Sequence, residues 1–101
     1  MKVRYKKPYQ YKKKTVIEDG EGGKYSTYGD PMPINCYIYP ASGTVQAEMY
    51  GERLAYILNV LYDEAEPIAE GDVIIYNGAN YKVISIKQYT EHKLMEIEKE
   101  I

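Results

Sequence analysis

The clearest pattern along the chain is the stretch Gly71 to Ile86, GDVIIYNGANYKVISI, in which two runs rich in β-branched residues and tyrosine flank Asn77-Gly78. Asn-Gly tolerates the positive φ angles of a two-residue type I′ turn, whose twist matches that of paired strands. The spacing therefore predicts a hairpin with strands Val73–Tyr76 and Tyr81–Ile86. A further strand is predicted over Lys93–Lys99, with Met95 and Ile97 on one face and Leu94, Glu96 and Glu98 on the other. Ile34–Tyr39 reads INCYIY between Gly29-Asp-Pro-Met-Pro33, which breaks regular structure, and Pro40-Ala-Ser-Gly43. Thr15–Ile17 and Lys24–Tyr28 are shorter strand candidates on either side of Glu18–Gly23, a flexible turn without the spacing of a phosphate-binding loop.

Two segments are harder to read. Thr44–Tyr50 is compatible with a single helical turn, Thr44 as its cap and Gly51 as its stop, or with an exposed loop. In Glu52–Tyr62, Leu54, Ile57, Leu58 and Leu61 form a helical stripe, whereas Leu54, Tyr56, Leu58, Val60 and Tyr62 alternate as in a strand. The neighbouring strands and the acidic turn Asp63–Pro67 favour a strand. Counting elements gives an all-β fold of five or six short strands. Their spacing fits a small barrel, which would hide strand edges in so short a chain. With 101 residues, the expectation is one domain over 1–101.

Composition adds an emphasis on contact. The chain has 13 tyrosines and no phenylalanine or tryptophan, and tyrosine joins an apolar ring to a wet hydroxyl. The net charge of −2 conceals an asymmetry. Seven of the 13 basic residues fall in the first fourteen positions, with no acid among them. The remainder carries six basic against 15 acidic residues. Residues 1–14 thus read as a basic arm or edge strand, and Lys12, Lys13 and Lys14 are its candidate contacts to nucleic acid or to an acidic neighbour.

Candidate chemistry is sparse. His92 is the single histidine and Cys36 the single cysteine, so neither a transition-metal ligand set nor an internal disulfide is expected. Cys36 reads as a small buried side chain and His92 as a turn residue. Asp63, Glu64 and Glu66 lack the spacing of a calcium loop. No catalytic residues and no cofactor are expected. With neither a secretory signal nor a membrane-length apolar run, a soluble protein of a reducing cytoplasm is expected.

The segment from Tyr37 to Ile86 resembles a known family. Four features carry the likeness: an aromatic strand ending in Pro40-Ala-Ser-Gly43; Val45-Gln-Ala-Glu48 leading into Gly51-Glu52; a strand ending in Leu61-Tyr62-Asp63; and Glu70-Gly-Asp72 before a strand, Asn77-Gly78 and Tyr81-Lys-Val83. In this order they resemble the head–tail connector, or head-closure (stopper), proteins of tailed bacteriophages and defective prophages. The resemblance implies an SH3-like barrel with a long projecting loop, here Ala41–Arg53. It also implies a non-enzymatic role in the virion neck: a ring at the head–tail interface that closes the portal channel after DNA packaging. The implied partners are the portal or adaptor ring, the tail proteins and further copies of the chain. DNA would be met only by passage through the channel, membranes not at all, and the free protein in the host cytoplasm would be a monomer. Gln46, Glu48, Met49, Tyr50 and Arg53 would contact neighbouring subunits or the channel. A nucleic-acid-binding small barrel, with tyrosines stacking bases and lysines tracking phosphates, is the alternative reading.

Overall fold

The computed structural model describes residues 3–100. The strands are β1 (Lys7–Lys12), β2 (Lys14–Glu18), β3 (Lys24–Tyr28), β4 (Met32–Pro40), β5 (Ile57–Tyr62), β6 (Val73–Tyr76), β7 (Ala79–Gln88) and β8 (Lys93–Lys99). Between β4 and β5 lie a short helix, α1 (Thr44–Tyr50), and a 3-10 helix (Gly51–Tyr56). Six strands close into an antiparallel barrel in the order β1-β4-β5-β8-β7-β6, sealed by pairing of β1 with β6. β2 and β3 form a separate two-stranded ribbon.

Alternation explains the barrel. Tyr11 of β1, Ile34, Cys36 and Ile38 of β4, Val60 and Tyr62 of β5, Ile74 of β6, Val83 of β7 and Met95 and Ile97 of β8 are buried in one cluster with Ile68. The two fully buried tyrosines stand where phenylalanine would otherwise serve, because each hydroxyl finds an acceptor at the rim. Tyr62 donates to the Glu66 carbonyl (2.9 Å) and Tyr11 to Asp72 (3.3 Å). The β6–β7 hairpin forms as expected, with Asn77 at φ 49° and Gly78 at φ 76°, the type I′ signature.

Several expectations change. Of the expected arm or edge strand 1–14, residues 1 and 2 lie outside the described residues, and residues 7–12 are not an arm: β1 pairs with β4 over Lys7–Tyr11 and with β6 over Gln10–Lys12, and its inward Tyr11 belongs to the core. The basic residues there are simply the outward and rim positions of a closing strand. Pro33 does not interrupt β4 but lies within it, opposite Gln10. Gly43, not Thr44, is the N-cap of α1, and no side chain caps it, whereas Gly51 ends the helix at φ 57°. Glu52–Tyr62 divides, with a 3-10 helix to Tyr56 and strand from Ile57. The ambiguous periodicity of that segment has a physical origin. The flap formed by α1 and the 3-10 helix covers the outer face of β5, so Ile57 and Asn59 are buried along with the core-facing Val60 and Tyr62.

Candidate functional site

The chain leaves the barrel at Pro40, crosses as α1 and the 3-10 helix, and re-enters at Ile57, the base closed by Ala41 N–H donating to Ile57 O (3.2 Å). None of the side chains of α1 is buried. What attaches it is polar. Gln46 and Tyr50, one turn apart, point onto the outer face of the barrel. The Gln46 amide donates to Asn59 Oδ1 (2.8 Å) and Glu96 Oε2 (2.8 Å), while its carbonyl accepts from Ser42 N–H (3.1 Å) and Asn59 Nδ2 (3.3 Å). The Tyr50 hydroxyl donates to Glu96 Oε1 (3.0 Å), and so does the Ser85 hydroxyl (2.5 Å).

Ser85 reaches that position because of a bulge. β7 pairs Val83 with Ile97 and Ser85 with Glu96, so Ile84 is an extra residue and the inward alternation shifts by one. Without it, Ser85 would share the face of Val83 and point into the core.

Glu96 is 8% exposed. Burial alone would raise its carboxyl pKa, but donation from Ser85, Gln46 and Tyr50 outweighs burial and holds it below the ordinary 4.5. Beside this cluster, under the flap, lies a cavity of about 340 Å³ lined among others by Tyr39, Val45, Gln46, Met49, Leu94 and Glu96. Farther along the flap, Arg53 grips Glu98 with two nitrogens (2.8 and 2.6 Å) and lies 5.4 Å over the Tyr50 ring, holding Glu98 below its usual range.

The five residues expected to face neighbours therefore divide. Gln46, Tyr50 and Arg53 are spent holding the flap to its own barrel. Glu48 is exposed, while Val45 and Met49, 72% and 63% exposed, stand at the open rim of the cavity under the flap. The helix is tied down by polar side chains and leaves apolar ones largely exposed beside the cavity.

Two members of the lysine cluster also bond to the chain's own barrel rim. Lys12 ends β1; Lys13 donates to the Pro67 carbonyl (2.9 Å) and to Asp72 (3.2 Å); the backbone N–H of Lys14 donates to Asp72 (2.9 Å). Asp72, 1% exposed, also accepts from Tyr11 and from Ala69 N–H (2.9 Å). Residues 3–6 are latched in the same way to the acidic turn, Val3 N–H (2.9 Å) and Lys6 Nζ (3.0 Å) both donating to Asp63. That turn serves the chain's own N-terminal segment.

Cys36 lies in the core, its thiol pushed up to about 12 by burial, while His92 lies between β7 and β8 with its ring stacked on Tyr89 (5.0 Å). Among the described residues no His/Cys/Asp/Glu grouping suited to a metal ion occurs. No described helix is long and apolar enough to cross a membrane.

Glu96, Asn59 and Ser85 were not visible as site residues in the sequence, since their burial depends on where the flap folds. Asp72 carried a signal in the Gly-Asp pair before a strand. Fold and site define a closed six-stranded β-barrel bearing a polar-anchored helical flap. The chain matches no known family model and no curated protein.

Proposed function

We propose that this protein is a structural component of a phage or prophage neck, joining head to tail and closing the portal channel after packaging. The observation that carries the reading is the construction of the flap. Gln46, Tyr50 and Arg53 fix it to the barrel, while Glu48 is exposed and Val45 and Met49 stay largely exposed at the rim of the cavity under the flap. A rigid element offering apolar side chains binds a partner with little ordering cost. The resemblance over Tyr37–Ile86 supplies the kind of partner: neighbouring rings of the virion neck. The acidic outer charge of the body suits a passage for DNA, because it keeps phosphates from sticking.

The test is complementation of a lysogen lacking the gene, read by electron microscopy. Wild type should restore whole virions. Met49→Asp with Val45→Asp should leave packaged heads beside free tails, although the protein folds. Normal virions from the deletion itself would overturn the reading.

One observation favours nucleic-acid binding as a second reading. Tyr5, Tyr37 and Tyr39 form a ladder of rings with centroids 6.4 and 5.2 Å apart, and Tyr5 is 79% exposed. Such rings can stack bases. Single-stranded DNA binding that weakens steeply with salt and is lost in Tyr5→Ala would support it.

A further inference from the structure

The ribbon of β2 and β3 stands apart from the barrel, and both strands pair only with each other. A two-stranded ribbon is marginal in water unless something covers it. Val16, Tyr25 and Tyr28 are exposed on this one.

The direction of its hydrogen bonds shows which groups are unused. Asp19 N–H donates to Gly23 O and Gly29 N–H to Lys13 O, so odd-numbered residues of the first strand bond across the ribbon. The even-numbered Lys14, Val16 and Glu18 then aim N–H and C=O at the open edge. There, among the described residues, only the Lys14 N–H has a partner, Asp72.

Lys14-Thr-Val-Ile-Glu18 is also self-complementary. Set antiparallel to itself about Val16, it places Val16 against Val16, Lys14 against Glu18 and Thr15 against Ile17. Lys14, which lies against Gly71 and forms no ion pair among the described residues, then faces Glu18, whose present partner is the exposed Lys24 at 3.8 Å. The tip of the ribbon, with Glu18, Asp19 and Glu21, comes to the base of the other copy, where Lys12, Lys13 and Lys14 lie. Registers one step either way lose the Lys14–Glu18 match.

We propose that the β2 edge is the docking surface for the β2 edge of a second copy, forming a symmetric dimer through a four-stranded sheet in the order β3-β2-β2-β3. Val16 exchanges both of its backbone bonds with its counterpart, two new bonds in all, because Asp72 already covers the edge at Lys14. Each Lys14 N–H keeps its bond to Asp72. The inference is independent of the neck reading, and it replaces the expectation of a free monomer with a weak dimer. The contact is far smaller than a standard interface of about 1,600 Å², so association belongs in the micromolar to millimolar range.

Sedimentation velocity from about 1 μM to about 1 mM, a span covering such affinities, tests the association. A concentration-dependent dimer is expected. Val16→Pro should weaken it about tenfold or more, because it removes an edge N–H that no intramolecular bond uses. Glu18→Lys should do the same, and Lys14→Glu with Glu18→Lys should restore pairing.

The register has its own test. Opposed Val16 Cα atoms would lie about 5.5 Å apart, within the disulfide range of about 4.4–6.8 Å. Val16→Cys should therefore cross-link on mild oxidation, and Ser26→Cys on the other edge should not; Cys36 is sealed in the core. A monomer throughout the concentration range, an undiminished Val16→Pro dimer, or cross-linking through Ser26→Cys in place of Val16→Cys would each overturn the proposal.

Discussion

Gln46 and Glu96, fifty positions apart, are joined by a 2.8 Å hydrogen bond that ties the helical flap to the last barrel strand. The same amide nitrogen bonds Asn59, so one side chain connects α1, β5 and β8. Since α1 buries no side chain of its own, this amide with Tyr50 is what gives the flap its position.

Replacing Gln46 by leucine should release α1 without unfolding the barrel. Asn59 and Glu96 each lose a partner, and leaving buried polar groups unsatisfied costs about 1–3 kcal/mol. Hydrogen exchange should speed up within Ala41–Tyr56 while the amides of β6 and β7 keep their protection. Equal acceleration everywhere would contradict a role confined to the flap.

Acid should destabilise the protein through Glu96, Glu98 and Asp63. Donors around Glu96, Arg53 beside Glu98, and Val3 N–H with Lys6 beside Asp63 all hold the folded carboxyls below their unfolded values of 4.5, 4.5 and 3.8. A depressed folded pKa contributes stability that is fully present above the unfolded value and is lost as pH falls through the folded one. Urea midpoints should therefore stay level at neutral pH and fall from about pH 4.5 downward. In Glu96→Gln the acid slope should be shallower, at some cost to stability at neutral pH.

Asp72→Ala should be the most damaging single change at the barrel rim. It strands the Tyr11 hydroxyl and the N–H groups of Lys14 and Ala69, and leaves Lys13 with the Pro67 carbonyl alone. Leaving a buried donor unsatisfied costs about 1–3 kcal/mol, and three such donors together make up a large part of the stability of a domain this size. Asp72→Asn keeps an acceptor oxygen and should cost distinctly less by urea denaturation.

These residues also mark how far the sequence could be read. The Asn77-Gly78 turn and the alternation of β8 were legible because each is a local matter: positive φ in one, period two in the other. The closure of the barrel by β1 was not, because Lys7–Lys12 looks solvent-facing until Tyr11 is seen paired on both sides. Glu96 read as an outward position, which it is; only the flap makes that position buried. Ser85 reaches it through a bulge at Ile84 that no local pattern announces. The site was illegible where it depends on one segment covering another.

The thiol of Cys36 should be inert in the native protein. It is fully buried in the barrel cluster, and burial pushes its pKa up to about 12, so almost no thiolate is present at pH 8. Alkylation by iodoacetamide should follow global unfolding, with a rate that rises through the urea transition in parallel with the loss of β-sheet signal. A nucleophile paired with His92 would behave oppositely, reacting faster in the native state than in urea. Cys36→Ser should leave partner binding and complementation intact while costing about 1–3 kcal/mol, because the hydroxyl enters an apolar site that offers it little to bond. Native labelling at the rate of a free thiol would show that the barrel opens around β4, and would shift attention from the flap to that strand.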